Sequence, residues 1–421
     1  MNFSSLHRNI KTRVITSFFM RIVGSMIFPF MAIYFSERLG TALTGVLLCL
    51  NVILGIFSGF YGGYLADKIG RKRVMAMGLV INIIAYSLMT IANSPWFESV
   101  WITFVMFTIN SICNSLVGPA AEAILIDSST KENRNFMYSL TYWSLNVAAM
   151  IGSLLGGLFF NEHRFELFIG LTVTSGITLF MVIFVMTDEY VPKTVVEKVH
   201  VIRDMINSYK VVIVDKAFMA FTFAIVFLWS LENHGANYIA IRISHEFTPI
   251  DLHLLSFPKI HLDGIKVVGF LLSQNTVLVV LFTLFVSAWI RKSNQKNMLY
   301  IGIACYTVGY LFLGFSNIVW VIFIAGFINT IGEIIYTPIQ STMRAELMNE
   351  SARGAYSAFS SISYQLCNLI GALGITLYSW IGSQGMLIVL AISGFVSFLL
   401  FRYSFKLSES KQERKLEYKT F

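Results

Sequence analysis

The sequence predicts an all-α membrane protein whose twelve transmembrane helices form two pseudo-symmetric six-helix bundles. Three observations lead there. Hydrophobic residues make up 56% and charged residues 13% of the 421 positions, and the mean hydropathy is +0.69, which excludes an ordinary soluble globule. The apolar residues gather in runs of roughly 20, the length a helix needs to cross about 30 Å of hydrocarbon. Residues 118–157 and 337–376 also read as one stretch written twice, 219 positions apart. Pro119 pairs with Pro338, Asp127 with Glu346, Arg134 with Arg353 and Gly152 with Gly371. Halves repeated in the same order fit a transporter with parallel repeats and a substrate site on the pseudo-symmetry axis. Runs this long exclude a β-barrel, whose strands alternate over about ten residues.

The expected spans are 14–36, 42–64, 74–93, 99–124, 136–160, 165–187, 214–238, 266–290, 297–315, 318–341, 356–380 and 384–403. The first is read as a span and not a cleaved signal, because it is long and no small-residue cleavage site follows before the next run. Residues 188–213 form the one long polar connector, which divides a bundle at 1–187 from one at 214–421. The stretch Val195 to Val212 is amphipathic enough to lie along a membrane surface. The largest external loop, about 240–265, carries His245, His253 and His261. Surface-loop histidines are usually solvated, and no metal site is expected. Cys49, Cys113, Cys305 and Cys367 lie inside apolar runs without paired spacing and read as small packing residues.

Net charge is +8, but its distribution argues against nucleic acid as a partner. With an even number of spans both termini share one side. That side then holds 25 of the 31 Lys and Arg, the opposite side five, and Arg21 lies inside the first span. Basic residues stay cytoplasmic, so both ends are expected in the cytosol of a bacterial plasma membrane. Lys411, Arg414, Lys415 and Lys419 in the tail are placed to touch anionic headgroups. The sequence carries no Walker loop, no cofactor is expected, and transport would draw on a gradient.

Between the second and third spans runs GYLADKIGRKRVM, Gly63 to Met75. Gly63 permits close helix packing, Asp67 offers an acceptor where the helix ends, and Gly70 permits the turn. Lys68, Arg71, Lys72 and Arg73 hold the loop in the cytosol and can pair with acids on neighbouring helices. A merely basic loop would explain the cations but not the ordered Gly-x-Leu-Ala-Asp-x-x-Gly-Arg-Lys series. That series resembles motif A of the major facilitator superfamily. Half-chain repetition carries Lys72 and Arg73 onto Arg291 and Lys292, with Val286 where the aspartate would stand. The resemblance implies the major facilitator fold and a latch at the cytoplasmic face involving Asp67. AILIDSSTKENR (123–134), Tyr142 with Trp143, and TIGEIIYTP (330–338) narrow the similarity to the drug/proton antiporters of that superfamily. Gly152, Gly156 and Gly157 match the group's fifth-span motif, but Ser153 replaces its proline, and Thr141 stands where a fifth-span aspartate is expected.

Ionisable side chains inside a span cost about 2.5–3.5 kcal/mol on insertion scales, so each is expected to face a cavity or a partner. Arg21, Glu122, Glu232 and Glu333 bear that cost. Desolvation disfavours the charged form of a carboxyl, which suits a group that takes a proton from one side and releases it to the other. Glu333 is the first candidate for proton coupling, and the resemblance implies a proton- or cation-binding glutamate there. Glu232 and Glu122 are the other two; the plainer readings are an interfacial acid and an acid paired at the inner surface. Asp127 with Arg134, and Glu346 with Arg353, read as gating ion pairs at the inner face. Arg21 either snorkels to the inner surface or binds an anionic group on the cargo.

In the fold so implied, Phe28, Phe30, Tyr34, Trp143, Asn146, Trp229, Asn233, Tyr336, Tyr364 and Gln365 lie on cavity-lining spans. Rings beside carboxylates suit hydrophobic cations. The reading is a monomeric, proton-coupled exporter of amphipathic, often cationic compounds. A dedicated carrier of an endogenous metallophore, peptide or lipid-like solute is the alternative, motivated by Arg21 and Thr141. A non-transporting receptor built on the same fold is the reading from another class. No nucleophile–base pair or metal cluster suggests an enzyme.

Overall fold

The computed structural model describes residues 3, 6–130, 133–187, 210, 212–252, 260–290, 292–348 and 353–417. Most of the expected connector, 188–209 and 211, therefore lies outside the described residues, as does His253.

Helix α1 (Arg8–Ile27) passes through one 3-10 turn at Phe28–Phe30 into α2 (Met31–Leu39). Pro29 sits in the first turn of that segment, where its missing N–H does no harm. Helices α3 (Thr41–Ile69) and α4 (Arg71–Ile91) follow. Gly70, at φ 100°, ends one and opens the other, a backbone angle that a residue with a Cβ resists. A two-residue hairpin, β1 (Asn93–Ser94) and β2 (Phe97–Glu98), leads to α5 (Val100–Asp127), α6 (Arg134–Phe159) and α7 (Arg164–Phe184).

The second half opens with α8 (Lys216–His234), whose N-terminal amides are capped by the Asp215 carboxylate. A π-helical turn at Gly235–Ile239 joins it to α9 (Ala240–Glu246). The loop after α9 contains an antiparallel hairpin, β3 (Ile250–Leu252) with β4 (Ile260–Leu262), in which His261 meets Asp251 at 2.9 Å. Among the described residues no group of His, Cys, Asp and Glu is arranged to hold a metal. Helices α10 (Gly264–Ile290), α11 (Gln295–Phe315), α12 (Val319–Leu347) and α13 (Arg353–Glu417) complete the chain.

Eleven helices among the described residues are long and apolar enough to cross a membrane. The last of these windows, Ser363–Ser410, is 48 residues long. At 1.5 Å per residue that is about twice the hydrocarbon thickness. The helix is not continuous: Gly382 interrupts it at φ 66°. Large apolar side chains such as Phe57, Phe285 and Trp380 are at least 70% exposed, a surface suited to lipid and unsuited to water.

The chain divides into two compact units, residues 1–195 with 243–280, and residues 196–242 with 281–421. In the first unit α4 packs on α5 and α7, α3 on α5, and α1 on α6 and α7. Its core between α3, α4, α5 and α7 includes Ala66, Met75, Leu79, Ala120, Ile124 and Val182. The fifth-span glycines make the close approaches here. A Cβ on Gly152 would fall 2.3 Å from the Ile22 carbonyl, and one on Gly156 2.6 Å from that of Met26. Gly157 instead meets Gly269 of α10, backbone against backbone. Ser153, in the place of the family's proline, lies 3.1 Å from Ser273 of α10, hydroxyl to hydroxyl. Small residues that let helices touch replace the hydrophobic effect inside a bilayer.

In the second unit α8 packs on α13 and α11 on α12. Ser397 and Ser404 of α13 donate to the Ala224 and Ala217 carbonyls of α8, each at 2.8 Å. The four cysteines are free thiols.

Candidate functional site

Glycines on facing helices create the site in the second unit. Gly302 and Gly309 of α11 lie against Gly332 and Asn329 of α12, and a Cβ on Gly332 would meet the Tyr306 amide nitrogen at 2.5 Å. This seam brings the ring of Tyr306 edge-on to Tyr336 of α12, centroids 5.0 Å apart, and to Tyr310 of its own helix at 4.9 Å. All three phenols are buried. The Tyr306 hydroxyl reaches 3.5 Å from Glu232 Oε2 on α8, the outer limit of a hydrogen bond. Glu333, one helical step before the Tyr336 turn, lies near enough to act electrostatically on Glu232 and on all three phenols. Two of the three predicted proton-coupling acids thus share one cluster. The π turn after His234 adds to it, since Gly235 presses on the Tyr310 ring; such turns recur at functional positions.

The third acid stands apart. Glu122 of α5 is in the first unit, exposed, and accepts from the Tyr138 hydroxyl at 2.8 Å. Other predicted ligand-binding residues scatter in role. Trp229 packs edge-on to Tyr364 at 6.1 Å and lies under the Arg344 guanidinium at 5.5 Å. The Asn233 amide donates to the Trp229 carbonyl at 3.1 Å, and Gln365 accepts from Asn368 at 3.5 Å. Tyr34 is buried beneath Arg164, whose guanidinium lies 4.2 Å from its ring centre, and Phe30 packs on Phe160. Trp143 is exposed on α6, and Asn146 donates back to the Tyr142 carbonyl at 2.8 Å. Arg21 and Phe28 line a cavity in the first unit.

Three of the residues expected to gate, Arg71, Lys72 and Asp127, form a corner near Gly70. Arg71 makes an ion pair with Asp127 and donates to the Ala123 carbonyl at 3.2 Å, tying the start of α4 to the end of α5. Lys72 donates to the Ile183 and Met186 carbonyls at 2.9 and 2.8 Å, closing the C-terminus of α7. Asp127 therefore has Arg71 as a described partner. The Arg134 and Arg353 side chains expected to pair with Asp127 and Glu346 lie outside the described residues, as does that of Asp67. Gly63 lies within α3, and the close backbone approach there is made by its neighbour Gly62, against the Leu116 carbonyl. Glu346 is exposed beside a recess shared with Lys296 and Glu409, which form an ion pair.

Sequence reasoning missed four residues. Tyr306 and Tyr310 sit one turn apart, with Gly302 one turn before Tyr306 and Gly309 beside Tyr310, a spacing that marks one packed helix face. Arg13 falls one position before the expected first span, yet lies within the structural helix that begins at Arg8. Arg242 reads as a loop cation, but it is fully buried and closes the C-terminus of α11. Its guanidinium donates to the Leu313 and Ser316 carbonyls at 2.8 and 2.7 Å and to Asn317 Oδ1 at 2.6 Å.

Comparison with known proteins gives a consistent picture. The Major Facilitator Superfamily profile matches residues 14–246 and 256–420. A Na(+), Li(+), K(+)/H(+) antiporter of Planococcus maritimus is 28% identical over 95% of this chain and 97% of its own. The multidrug resistance protein MdtH of Baumannia cicadellinicola is 23% identical, over 83% of this chain and 79% of its own. Among solved structures, a POT family transporter in complex with 5-aminolevulinic acid superposes with a TM-score of 0.74 at 15% identity. That superposition covers 96% of this chain and 98% of the other, a likeness of fold.

Proposed function

Because the chain belongs to the major facilitator superfamily, we propose that this multi-pass membrane transporter is a proton-coupled antiporter that exports cationic compounds by alternating access. The observation that carries the reading is the buried phenol cluster of the second unit, with Glu232 at the Tyr306 hydroxyl and Glu333 one turn before Tyr336 on α12. Repulsion between two ionised carboxylates is relieved equally by a proton or by a cation, and that competition is what an exchanger requires. The aromatic faces of Tyr306, Tyr310 and Tyr336 add apolar area and cation–π attraction for an organic cation. In this reading the chain makes twelve spans, with α13 divided at Gly382, arranged as two six-helix bundles in a bacterial plasma membrane with both ends cytoplasmic. Rocking of one bundle against the other would expose the acids alternately.

A second reading differs only in cargo. The Planococcus relative is named for exchange of Na+, Li+ and K+, and carboxylate and phenol oxygens are hard donors that suit such ions. Proteoliposomes with an imposed proton gradient separate the two. Ethidium movement without sodium movement supports the organic cargo, and the reverse supports the inorganic one. In either case Glu333→Gln is expected to abolish cation-for-proton exchange. Undiminished exchange by that variant would refute the role of the carboxylate pair.

A further inference from the structure

Arg344 lies in the last turn of α12, where the helix dipole favours a positive charge. Helical side chains lean toward the N-terminus of their helix, however. The Arg344 guanidinium accordingly lies over the Trp229 ring of α8, 5.5 Å from its centre. Its Nε is buried and makes no hydrogen bond. Among the described residues no acid pairs with Arg344, and no charged group acts on it electrostatically. Arg242, buried in the same unit, commits its donors to helix-end carbonyls; Arg344 commits none of its own to a described group. The contact with Trp229 offsets only part of what desolvating a guanidinium costs.

Beside Arg344 is a recess of about 10 Å³ among α8, α12 and α13, room for one particle about the size of a water molecule. Arg344 and Trp229 line it together with the hydroxyl side chains of Thr222, Ser360 and Ser363, and among the described residues no acid does. Ser360 and Ser363 donate to the Tyr356 and Phe359 carbonyls of their own helix, at 3.0 and 3.2 Å. Thr222 is buried, and its hydroxyl makes no hydrogen bond to a described group.

We propose that this recess binds a monatomic anion of the halide class, chloride in ordinary media, held by the Arg344 guanidinium and the Thr222 hydroxyl. A cation is repelled by Arg344, and a water molecule accepts from its donors but leaves the charge unbalanced. The volume admits a single small particle and excludes a carboxylate or phosphate carried on an apolar body. Ser360 and Ser363 can turn their protons from the carbonyls toward the ion, because a hydroxyl rotates to suit its partner. An ion that binds the folded chain alone also stabilises it. The site is distinct from the carboxylate cluster, so its failure leaves the exchange reading untouched.

The test uses full-length protein in phosphatidylcholine nanodiscs and chloride itself as the probe, read by the quadrupolar broadening of its NMR line. Bound chloride broadens the line, and the excess width is expected to fall away as chloride saturates the site. The second measurement is thermal unfolding in chloride against gluconate at equal ionic strength, which holds screening fixed and offers an anion too large for the recess. The parent is expected to unfold at a higher temperature in chloride. Arg344→Gln is expected to lose the saturable component and the chloride dependence, a weakening of about tenfold or more. Arg344→Lys keeps part of both, since it keeps the charge. If Arg344→Gln does not fold, Thr222→Asp sets a carboxylate in the recess as a built-in anion and must abolish both effects. A saturable component that persists undiminished in Arg344→Gln or in Thr222→Asp overturns the proposal. So does a parent whose excess width never saturates and whose unfolding temperature is the same in both salts, the behaviour of a recess that holds water.

Discussion

Gly332→Ala tests whether the contact between α11 and α12 sets the geometry of the carboxylate cluster. The added methyl would lie 2.5 Å from the Tyr306 amide nitrogen, 2.7 Å from the Gly302 carbonyl oxygen and 2.9 Å from Tyr306 Cα. All three are backbone atoms, so no side-chain rotation relieves the clash. Restoring ordinary contact at 3.4 Å requires the helices to part by about 0.9 Å. The Tyr306 hydroxyl stands 3.5 Å from Glu232, at the outer limit of a hydrogen bond, so a shift of that size changes its reach to the carboxylate. Overpacking of this kind costs about 1–3 kcal/mol. Gly176→Ala is the matched control, because nothing lies within 4 Å of its added methyl. There alanine is expected to be neutral or to stabilise by about 0.5–1 kcal/mol through helix propensity. Thermal unfolding of the two purified variants, with cation exchange measured in proteoliposomes, makes the comparison. Gly332→Ala should unfold earlier and exchange more slowly. A Gly332→Ala protein as stable and as active as Gly176→Ala would refute the seam as the element that positions Tyr306.

Arg242→Met removes the donors that close the end of α11 and strands the buried Leu313 and Ser316 carbonyls. A loss of about 3 kcal/mol or more is expected, read as a fall in thermal stability, with Arg242→Lys recovering part of it. Arg71→Gln breaks an ion pair whose acid is 46% exposed, so its cost is expected to be about 1 kcal/mol or less, shrinking as salt is raised. Unfolding midpoints of that variant and the parent at low and high salt check the point.

The fold was largely written in the hydropathy. Apolar run lengths and the 219-residue repeat anticipated the helices, and the prolines that mark the repeat, Pro119 and Pro338, both lie inside long helices. The sites were less legible, for reasons that differ by residue. Glu232 and Glu333 stand out because a carboxylate inside an apolar run is costly and therefore visible. Tyr306 and Tyr310 carry no such cost, and among 18 tyrosines nothing marked them until the glycine seam placed them beside the acids. Arg13 and Arg242 were hidden by span boundaries: α1 begins at Arg8, and the expected seventh span at 214–238 extends as helix to Glu246. Hydropathy marks where a chain becomes apolar enough for lipid, whereas a buried cation held by helix-end carbonyls lets a helix run past that point.

Lys72 and its neighbour Arg71 fasten one corner of the first unit by unlike means. Arg71 holds a full opposite charge on Asp127, and dissolved ions weaken such an attraction. Lys72 grips the bare carbonyls of Ile183 and Met186 at a helix end, where the opposing charge is a fraction spread over peptide dipoles and short-range contact dominates. Raising the ionic strength weakens the ion pair most, and the short hydrogen bonds of Lys72 then remain as the anchorage of the turn at Gly70 on α7.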